Sequence, residues 1–298
     1  MNNADLCVLA VDAGGTFLKA ALVRNNGTIV EDSFLRTAVD SGGSVDNIHH
    51  SYAYLASLAH QKARQLNLSL VAAGICIPGP FDYFNGVSLM THKYTAIKGM
   101  PLRPWIQEGI GDLPVHFLHD AHAFLLGAVR SGGRPYQRYC GVTIGTGLGF
   151  ATLIDGHLLK NDQGGPGISI FAKPFKDGIS EDYVSRRALL ARYRELCGSG
   201  ANGLDLYDIG LLAEKGEKNA VLLHEEMGRN LAGILHDILR DNRIECLLLG
   251  GAVSKSAPLF IEELKSSLKD LPLLREIAPA KEIDLAPLLG AAQTAFHA

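Results

Sequence analysis

Two glycine-bearing turns and one aspartate are the residues of this chain whose types and spacing suit chemistry. Asp12-Ala13-Gly14-Gly15-Thr16 separates two apolar runs, and Gly145-Thr146-Gly147-Leu148-Gly149 does the same further along. Glycines let backbone N–H groups approach an anion closely, and a nest of amides with a threonine hydroxyl can cradle phosphate oxygens. Asp12, at a strand end, can hold a metal ion through water, and Lys19 in the next strand can reach a phosphate or support the site. Two plain hairpins would use glycine equally well. Their matching places in the two halves favour the anion-binding reading.

His119-Asp120-Ala121 follows the apolar run Val115–Leu118 and opens a helical pattern. Asp120 suits a helix N-cap or first turn, where the dipole favours a carboxylate. The same position at the carboxyl end of a strand suits a general base that takes the proton of an attacking hydroxyl. Gly250-Gly251 follows the apolar strand Cys246–Leu249, a place where a flat ring can lie against backbone or where a plain loop can turn. Two common nucleotide motifs are missing. No G-x-x-x-x-G-K-[ST] occurs, and no G-x-G-x-x-G opens a helix after a strand, which disfavours P-loop and dinucleotide-binding folds.

The elements that must position these residues alternate, which indicates an α/β class. Strands are expected at Leu6–Asp12, Phe17–Val23, Leu70–Ile77, Val115–Leu118, Gly141–Ile144, Gly149–Ile154 and Cys246–Leu249. Helices are expected at 45–66, 120–130, 181–196, 218–240, 257–268 and 287–297, the fourth on the spacing of Leu222, Met227, Leu231, Leu235 and Ile238. Segments 8–27 and 140–156 each read as strand, glycine turn, strand and an Asn-Gly or Asp-Gly hairpin. That weak duplication implies two similar α/β lobes with a cleft between them, the usual location of a small-molecule site. The expected division is a smaller lobe of residues 1–118, with the terminal helix 287–298 packing back on it, and a larger lobe of residues 119–286.

With 298 residues, 47% hydrophobic and 20% charged, the composition is that of a globular protein. A formal net charge of −3 gives no basic footprint, so nucleic acid is not the expected partner. No stretch is long and apolar enough to span a bilayer, and the opening has no signal-peptide pattern; a cytoplasmic location is expected. Cys7, Cys76, Cys140, Cys197 and Cys246 are scattered without a CxxC pair and read as buried thiols.

Asp12–Thr16 with Lys19, Ile77-Pro-Gly-Pro-Phe-Asp82, His119-Asp120-Ala121, Gly145–Gly149, Leu249-Gly-Gly251 and Leu289-Gly-Ala-Ala292 occur in the order found in ROK family sugar kinases, and the chain resembles that family over nearly its whole length. The resemblance implies the two-lobed actin-like (ribonuclease H-like) ATPase fold with an interlobe active-site cleft. It implies ATP-dependent phosphorylation of a sugar hydroxyl, usually the 6-hydroxyl of a hexose, with Asp120 as base. It places Asp12, Gly14, Gly15, Thr16, Lys19, Gly145, Thr146 and Gly147 around the ATP phosphates, Gly250 and Gly251 by the adenosine, and Asp12 near Mg²⁺. Pro78, Gly79, His119, Asp120 and Glu181, the last from Ser180-Glu-Asp-Tyr-Val-Ser185, are the implied sugar contacts. A homodimer is implied as well.

The chain departs from the family pattern on the sugar side. Gly164–Phe171 stands where many members carry E-x-G-H and a cysteine-rich zinc loop, so no structural zinc is expected. His119 replaces a common Asn, and the loop Thr91-His-Lys-Tyr-Thr95 differs too. These changes leave the reaction type legible and the identity of the sugar open. The alternatives are a sugar-responsive regulator without kinase activity, disfavoured because the first strand starting at Leu6 leaves no room for a helix-turn-helix, and an actin-like ATPase that acts as an assembly factor.

Overall fold

The computed structural model describes residues 5–201 and 203–297; residues 1–4 and 298, the two ends of the expected smaller lobe, lie outside the described residues. The chain forms two compact units. The first holds residues 1–131, 160–166 and 285–298, and the second holds 132–159 and 167–284.

The first unit runs β1 (Leu6–Ala13), β2 (Phe17–Arg24), β3 (Leu35–Ala38), α1 (Val45–Gln65), β4 (Ser69–Ile77), a small hairpin of β5 (Phe81–Asp82) and β6 (Val87–Ser88), α2 (Arg103–Ile110), β7 (Val115–His119) and α3 (Asp120–Gly132). Its five-stranded sheet has the order β3-β2-β1-β4-β7. The β1–β2 and β2–β3 pairs are antiparallel, while β4 lies parallel to both β1 and β7. The near-continuous apolar run of β1 follows from burial on both faces. Cys7, Leu9 and Val11 meet a core that includes Ile48, Tyr52 and Leu55 of α1. Val8 and Ala10 meet a second core that includes Leu288, Ala291 and Ala295 of the terminal helix Ala286–His297.

That terminal helix sits very close to its neighbours. A β-carbon on Gly74 would fall 2.0 Å from the Ala291 carbonyl oxygen, one on Gly127 1.9 Å from that of Ala286, and one on Gly290 1.9 Å from that of Ala123. Three glycines thus let one strand and two helices approach backbone to backbone. This packing accounts for a difference from the sequence reading, which ended the first lobe at 118. Helix α3 joins the first unit because it is held by the terminal helix.

The second unit runs β8 (Arg138–Ile144), β9 (Leu148–Ile154), β10 (His157–Leu158), a hairpin of β11 (Pro174–Phe175) and β12 (Gly178–Ile179), α4 (Glu181–Val184), α5 (Arg186–Cys197), α6 (Leu206–Glu214), α7 (Lys218–Asp241), β13 (Cys246–Gly250), α8 (Ile261–Ser267) and β14 (Glu276–Pro279). Its five-stranded sheet has the order β10-β9-β8-β13-β14. The β8–β9 and β9–β10 pairs are antiparallel, and β13 lies parallel to β8 and β14. Strand for strand this repeats the first sheet, so the duplication seen in the two glycine hairpins extends to whole sheets.

Several boundaries differ from the sequence reading for identifiable reasons. The helix expected at 181–196 is two helices, because Ser185 is extended (φ −71°, ψ 160°): it ends α4, and its hydroxyl accepts the Ala188 N–H of α5 at 3.3 Å. The helix expected at 257–268 begins instead at Ile261, preceded by a 3₁₀ stretch Ala252–Leu259 that contains Pro258. The short edge strands β3, β10 and β14 and the helices α2 and α6 have no counterpart in the sequence reading.

Candidate functional site

In the first unit the carboxyl ends of three neighbouring parallel strands carry the residues singled out for chemistry. β1 ends at Asp12-Ala13 and leads into the Gly14-Gly15 turn, β4 is followed by Pro78-Gly79, and β7 ends at His119. The register aligns them: Asp12 pairs with Cys76 of β4, and Ile77 pairs with His119 of β7. Ligands of α/β sheets bind outside such strand ends.

Asp120 is the first residue of α3. With the proton on its Nδ1, His119 donates to Asp120 Oδ1 at 2.8 Å, and the Ala121 N–H donates to the same oxygen at 2.7 Å. Densely surrounded as it is, the Asp120 side chain keeps 42% of its surface exposed. Burial raises the pKa of this carboxyl, but the charge and hydrogen bond of His119, the Ala121 N–H and the charge of Lys93 together outweigh it and hold the pKa below the usual carboxylate value. The group is therefore an ionised acceptor at neutral pH. Next to it, the His119 ring stands edge-on to Tyr83, 5.9 Å between centroids, and a β-carbon on Gly79 would lie 3.5 Å from His119 Cδ2. Tyr83 is fixed by its hydroxyl, which donates to the Ile77 carbonyl at 3.1 Å.

Asp12 has the opposite balance. Burial pushes its carboxyl up, Lys19 pulls it down, and the negative charge of Asp120 pushes it up again, leaving the pKa above the usual value. Lys19 lies directly across the β1–β2 ladder from Asp12, which puts both side chains on one face of the sheet. A second carboxylate close to Asp120 with a single lysine to offset it is a donor set that a hard divalent cation fits.

Four further residues belong to this neighbourhood, two of them, Lys93 and Tyr94, in the Thr91–Thr95 loop already noted from sequence. The first glycine turn is fastened by the loop after β6: Tyr94 Oη donates to the Gly14 carbonyl at 2.5 Å, its N–H donates to Ser41 O at 2.7 Å, and the Ser41 N–H donates to Gly15 O at 3.1 Å. Lys93 lies beside Gly15, its Cδ 3.8 Å from where a β-carbon on that glycine would be. Gln163, in the segment 160–166 that the second half returns to the first unit, accepts the Tyr83 N–H at 2.9 Å through its carbonyl. Ser41 and Gln163 stand beside the glycine pairs Gly42-Gly43 and Gly164-Gly165, but only the fold shows what they hold.

In the second unit the two remaining glycine pairs meet. Gly250 pairs with Thr143 across the parallel β13–β8 ladder. Gly251 has φ +80°, and a β-carbon on it would fall 2.4 Å from the Ile144 carbonyl oxygen, so only glycine suits this contact. Ile144 leads directly into Gly145-Thr146-Gly147, whose turn closes by a Gly145 N–H to Gly147 carbonyl bond of 3.0 Å. Thr146, Arg186, Arg187, Leu190 and Arg194 line a recess of about 270 Å³ beside this turn. Glu181 is engaged here as well, its Oε2 accepting the Leu148 N–H at 3.1 Å. Of the five residues implied as sugar contacts, Pro78, Gly79, His119 and Asp120 lie in the first unit, whereas Glu181 lies in the second and braces the glycine turn.

The pattern of the ROK family matches residues 8–297. The chain belongs to the ROK family. A glucokinase of Thermotoga maritima is 23% identical over 320 residues, spanning 96% of both chains. An N-acetylmannosamine kinase of Salmonella typhimurium is 26% identical over 298 residues, spanning 96% of this chain and 97% of the other. A ROK family glucokinase from Streptomyces griseus, solved in complex with glucose and AMPPNP, aligns with a TM-score of 0.80 at 22% identity, covering 98% of this chain and 100% of that one, which shows a shared fold. Within this ROK chain all five cysteines are free, and four are buried. Among the described residues no helix is long and apolar enough to cross a membrane.

Proposed function

We propose that this ROK chain is an ATP-dependent sugar kinase in which Asp120 is the general base. The sugar hydroxyl gives its proton to the Asp120 carboxylate as its oxygen attacks the γ-phosphorus. The bond from that phosphorus to the β,γ-bridging oxygen breaks, ADP leaves with the electron pair, and the sugar phosphate remains. Phosphoryl transfer asks a protein mainly for alignment and charge stabilisation, with little covalent chemistry of its own.

The observation that carries the reading is the alignment of Asp12–Thr16, Pro78-Gly79 and His119-Asp120 at three adjacent strand ends, with Asp120 held ionised. The residues proposed for the phosphates are Gly14, Gly15, Thr16 and Lys19, together with Gly145, Thr146 and Gly147. Gly250 and Gly251 lie by the adenosine. The arginine-lined recess at Thr146 adds positive charge on the donor side. Asp12 is the residue that would hold Mg²⁺, through water; when bound, the ion neutralises charge on the β- and γ-phosphates. His119 orients Asp120, and with Pro78 and Gly79 it forms the floor on which the sugar rests. Glu181 braces the second glycine turn through its bond to the Leu148 N–H, and its role as a sugar contact is part of the proposal.

The acceptor class is a hexose or N-acylated hexosamine, consistent with relatives named for glucose and N-acetylmannosamine, and the 6-hydroxyl is the expected position. The work is cytoplasmic, where ATP is available, and the expected assembly is a homodimer. The test is turnover with Mg·ATP over a panel of hexoses, N-acylated hexosamines and glycosides. Some member is phosphorylated, and Asp120→Asn lowers kcat by about 10²–10⁴-fold while ATP still binds. No turnover on the whole panel would refute the reading. ATP hydrolysis indifferent to every sugar would favour an ATPase instead.

A further inference from the structure

Beside the first glycine turn the first unit carries a cation, Lys93, to which the mechanism above gives no direct contact with the phosphates. Lys19 is matched to Asp12 across the β1–β2 ladder. Lys93 is not matched in this way: among the described residues no carboxylate lies within ion-pair distance of its ammonium group. The side chain is nevertheless half-buried. A partly desolvated charge without a partner is unfavourable unless a ligand completes it.

Its position says what that ligand is. Lys93 runs alongside Gly15, with Cδ 3.8 Å from the β-carbon position of that glycine. Its charge also acts on Asp120. One ammonium group therefore serves both the turn that holds phosphate and the carboxylate that receives the hydroxyl proton. The loop is not free to swing away. Tyr94, the next residue, is buried, has φ 52°, and is tied to Ser41 and Gly14 by bonds of 2.7 and 2.5 Å. A loop anchored this way holds the root of the Lys93 side chain in place, and a cation placed in advance stabilises developing charge with little reorganisation.

We propose that Lys93 is a second cation of the transfer site and holds an equatorial oxygen of the phosphoryl group as it passes from ATP to the sugar. The inference rests on the kinase reading and on Asp120 as base. Because the contact strengthens as charge spreads over those oxygens, it acts on kcat and leaves ground-state sugar binding almost unchanged.

The experiment compares wild type, Lys93→Met and Lys93→Arg by steady-state kinetics with Mg·ATP and the best acceptor of the panel. Thermal unfolding and calorimetric binding of a non-hydrolysable ATP analogue run beside it. Lys93→Met lowers kcat about 10²–10³-fold, the size of effect seen when one preorganised donor is removed. The KM for sugar and the unfolding midpoint stay near wild type, and Lys93→Arg recovers part of the loss. Should Lys93→Met fail to fold, Lys93→Gln, polar and uncharged, takes its place with the same expectation. Retention of kcat within threefold in an active background overturns the assignment, and so does a change confined to the sugar KM, which would make Lys93 a substrate contact. Wild type inactive on every acceptor removes the kinase reading itself, an outcome distinct from an active wild type with an indifferent Lys93 variant.

Discussion

Replacing Gly290 by alanine tests whether close backbone packing, far from any substrate atom, places the catalytic base. The new methyl group would start 1.9 Å from the Ala123 carbonyl oxygen, 2.6 Å from its carbon and 2.8 Å from its Cα. An ordinary carbon contact is about 3.5 Å, so the terminal helix and α3 must separate by roughly 1.5 Å. All three atoms are backbone, so no side-chain rotation relieves the contact. Overpacking costs about 1–3 kcal/mol, here the upper part, about 2–3, because only backbone can give way, and the gain in helix propensity from glycine to alanine returns about 1 kcal/mol of it. The net loss is about 1–2 kcal/mol, or roughly 2–4 °C in the unfolding midpoint for a chain of this size. The effect on activity is larger in proportion. α3 begins at Asp120, and a displacement of about 1 Å at a reacting group can cost on the order of 10²-fold. Circular dichroism melts and kcat measured on the same preparation give both numbers. Gly127→Ala, which meets the Ala286 carbonyl at 1.9 Å, should behave alike, and the double variant should show less than the sum because both separate the same pair of helices. A Gly290→Ala protein with its midpoint within about 1 °C and kcat within about twofold of wild type would refute the reasoning.

Two further outcomes follow from the site. Asp120 must be ionised to accept a proton, so kcat/KM falls as pH drops through its pKa. With that pKa held below the usual value of about 3.9 by His119, the Ala121 N–H and Lys93 against the opposing effect of burial, the acid limb lies low. His119→Gln removes the imidazole charge and moves the limb upward; an unmoved limb in the pH profile would deny His119 this role. In the second unit, Gly251→Ala combines a left-handed φ of 80° with a methyl placed 2.4 Å from the Ile144 carbonyl oxygen. A loss of about 2–4 kcal/mol is expected, with a lower unfolding midpoint and a raised KM for ATP because Ile144 leads into the Gly145 turn.

Local signals carried much of this into the sequence. The run Leu6–Ala13 reads as a strand because both of its faces are buried, and Gly14-Gly15 and Gly145–Gly147 read as turns because each interrupts such a run. The matching sheet orders could be anticipated from those hairpins, yet β3, β10 and β14 are edge strands of four residues or fewer, too short for an alternation to register. What stayed hidden depends on distant pairing. Helix α3 belongs with the first unit only through its contact with a helix at the far end of the chain. Lys93 and Tyr94 look like an ordinary polar loop until Ser41 and Gly14 are brought beside them. Glu181 sits in a family-like segment that suggested a sugar contact, and only coordinates reveal its carboxylate on the Leu148 N–H. Spacing reports what a segment does with its neighbours in the chain, and these three roles are set by neighbours dozens of residues away.

The return of residues 285–298 to the first unit has a consequence for how the protein is made. A ribosome that has just released residue 284 has supplied everything the second unit contains, while the first still lacks its last helix. Until then Val8, Ala10, Ala72 and Cys76 present an uncovered oily surface to water or to a chaperone. Synthesis therefore finishes the later-encoded half before the earlier one, and a stop codon a dozen residues early would strand the half that bears Asp120.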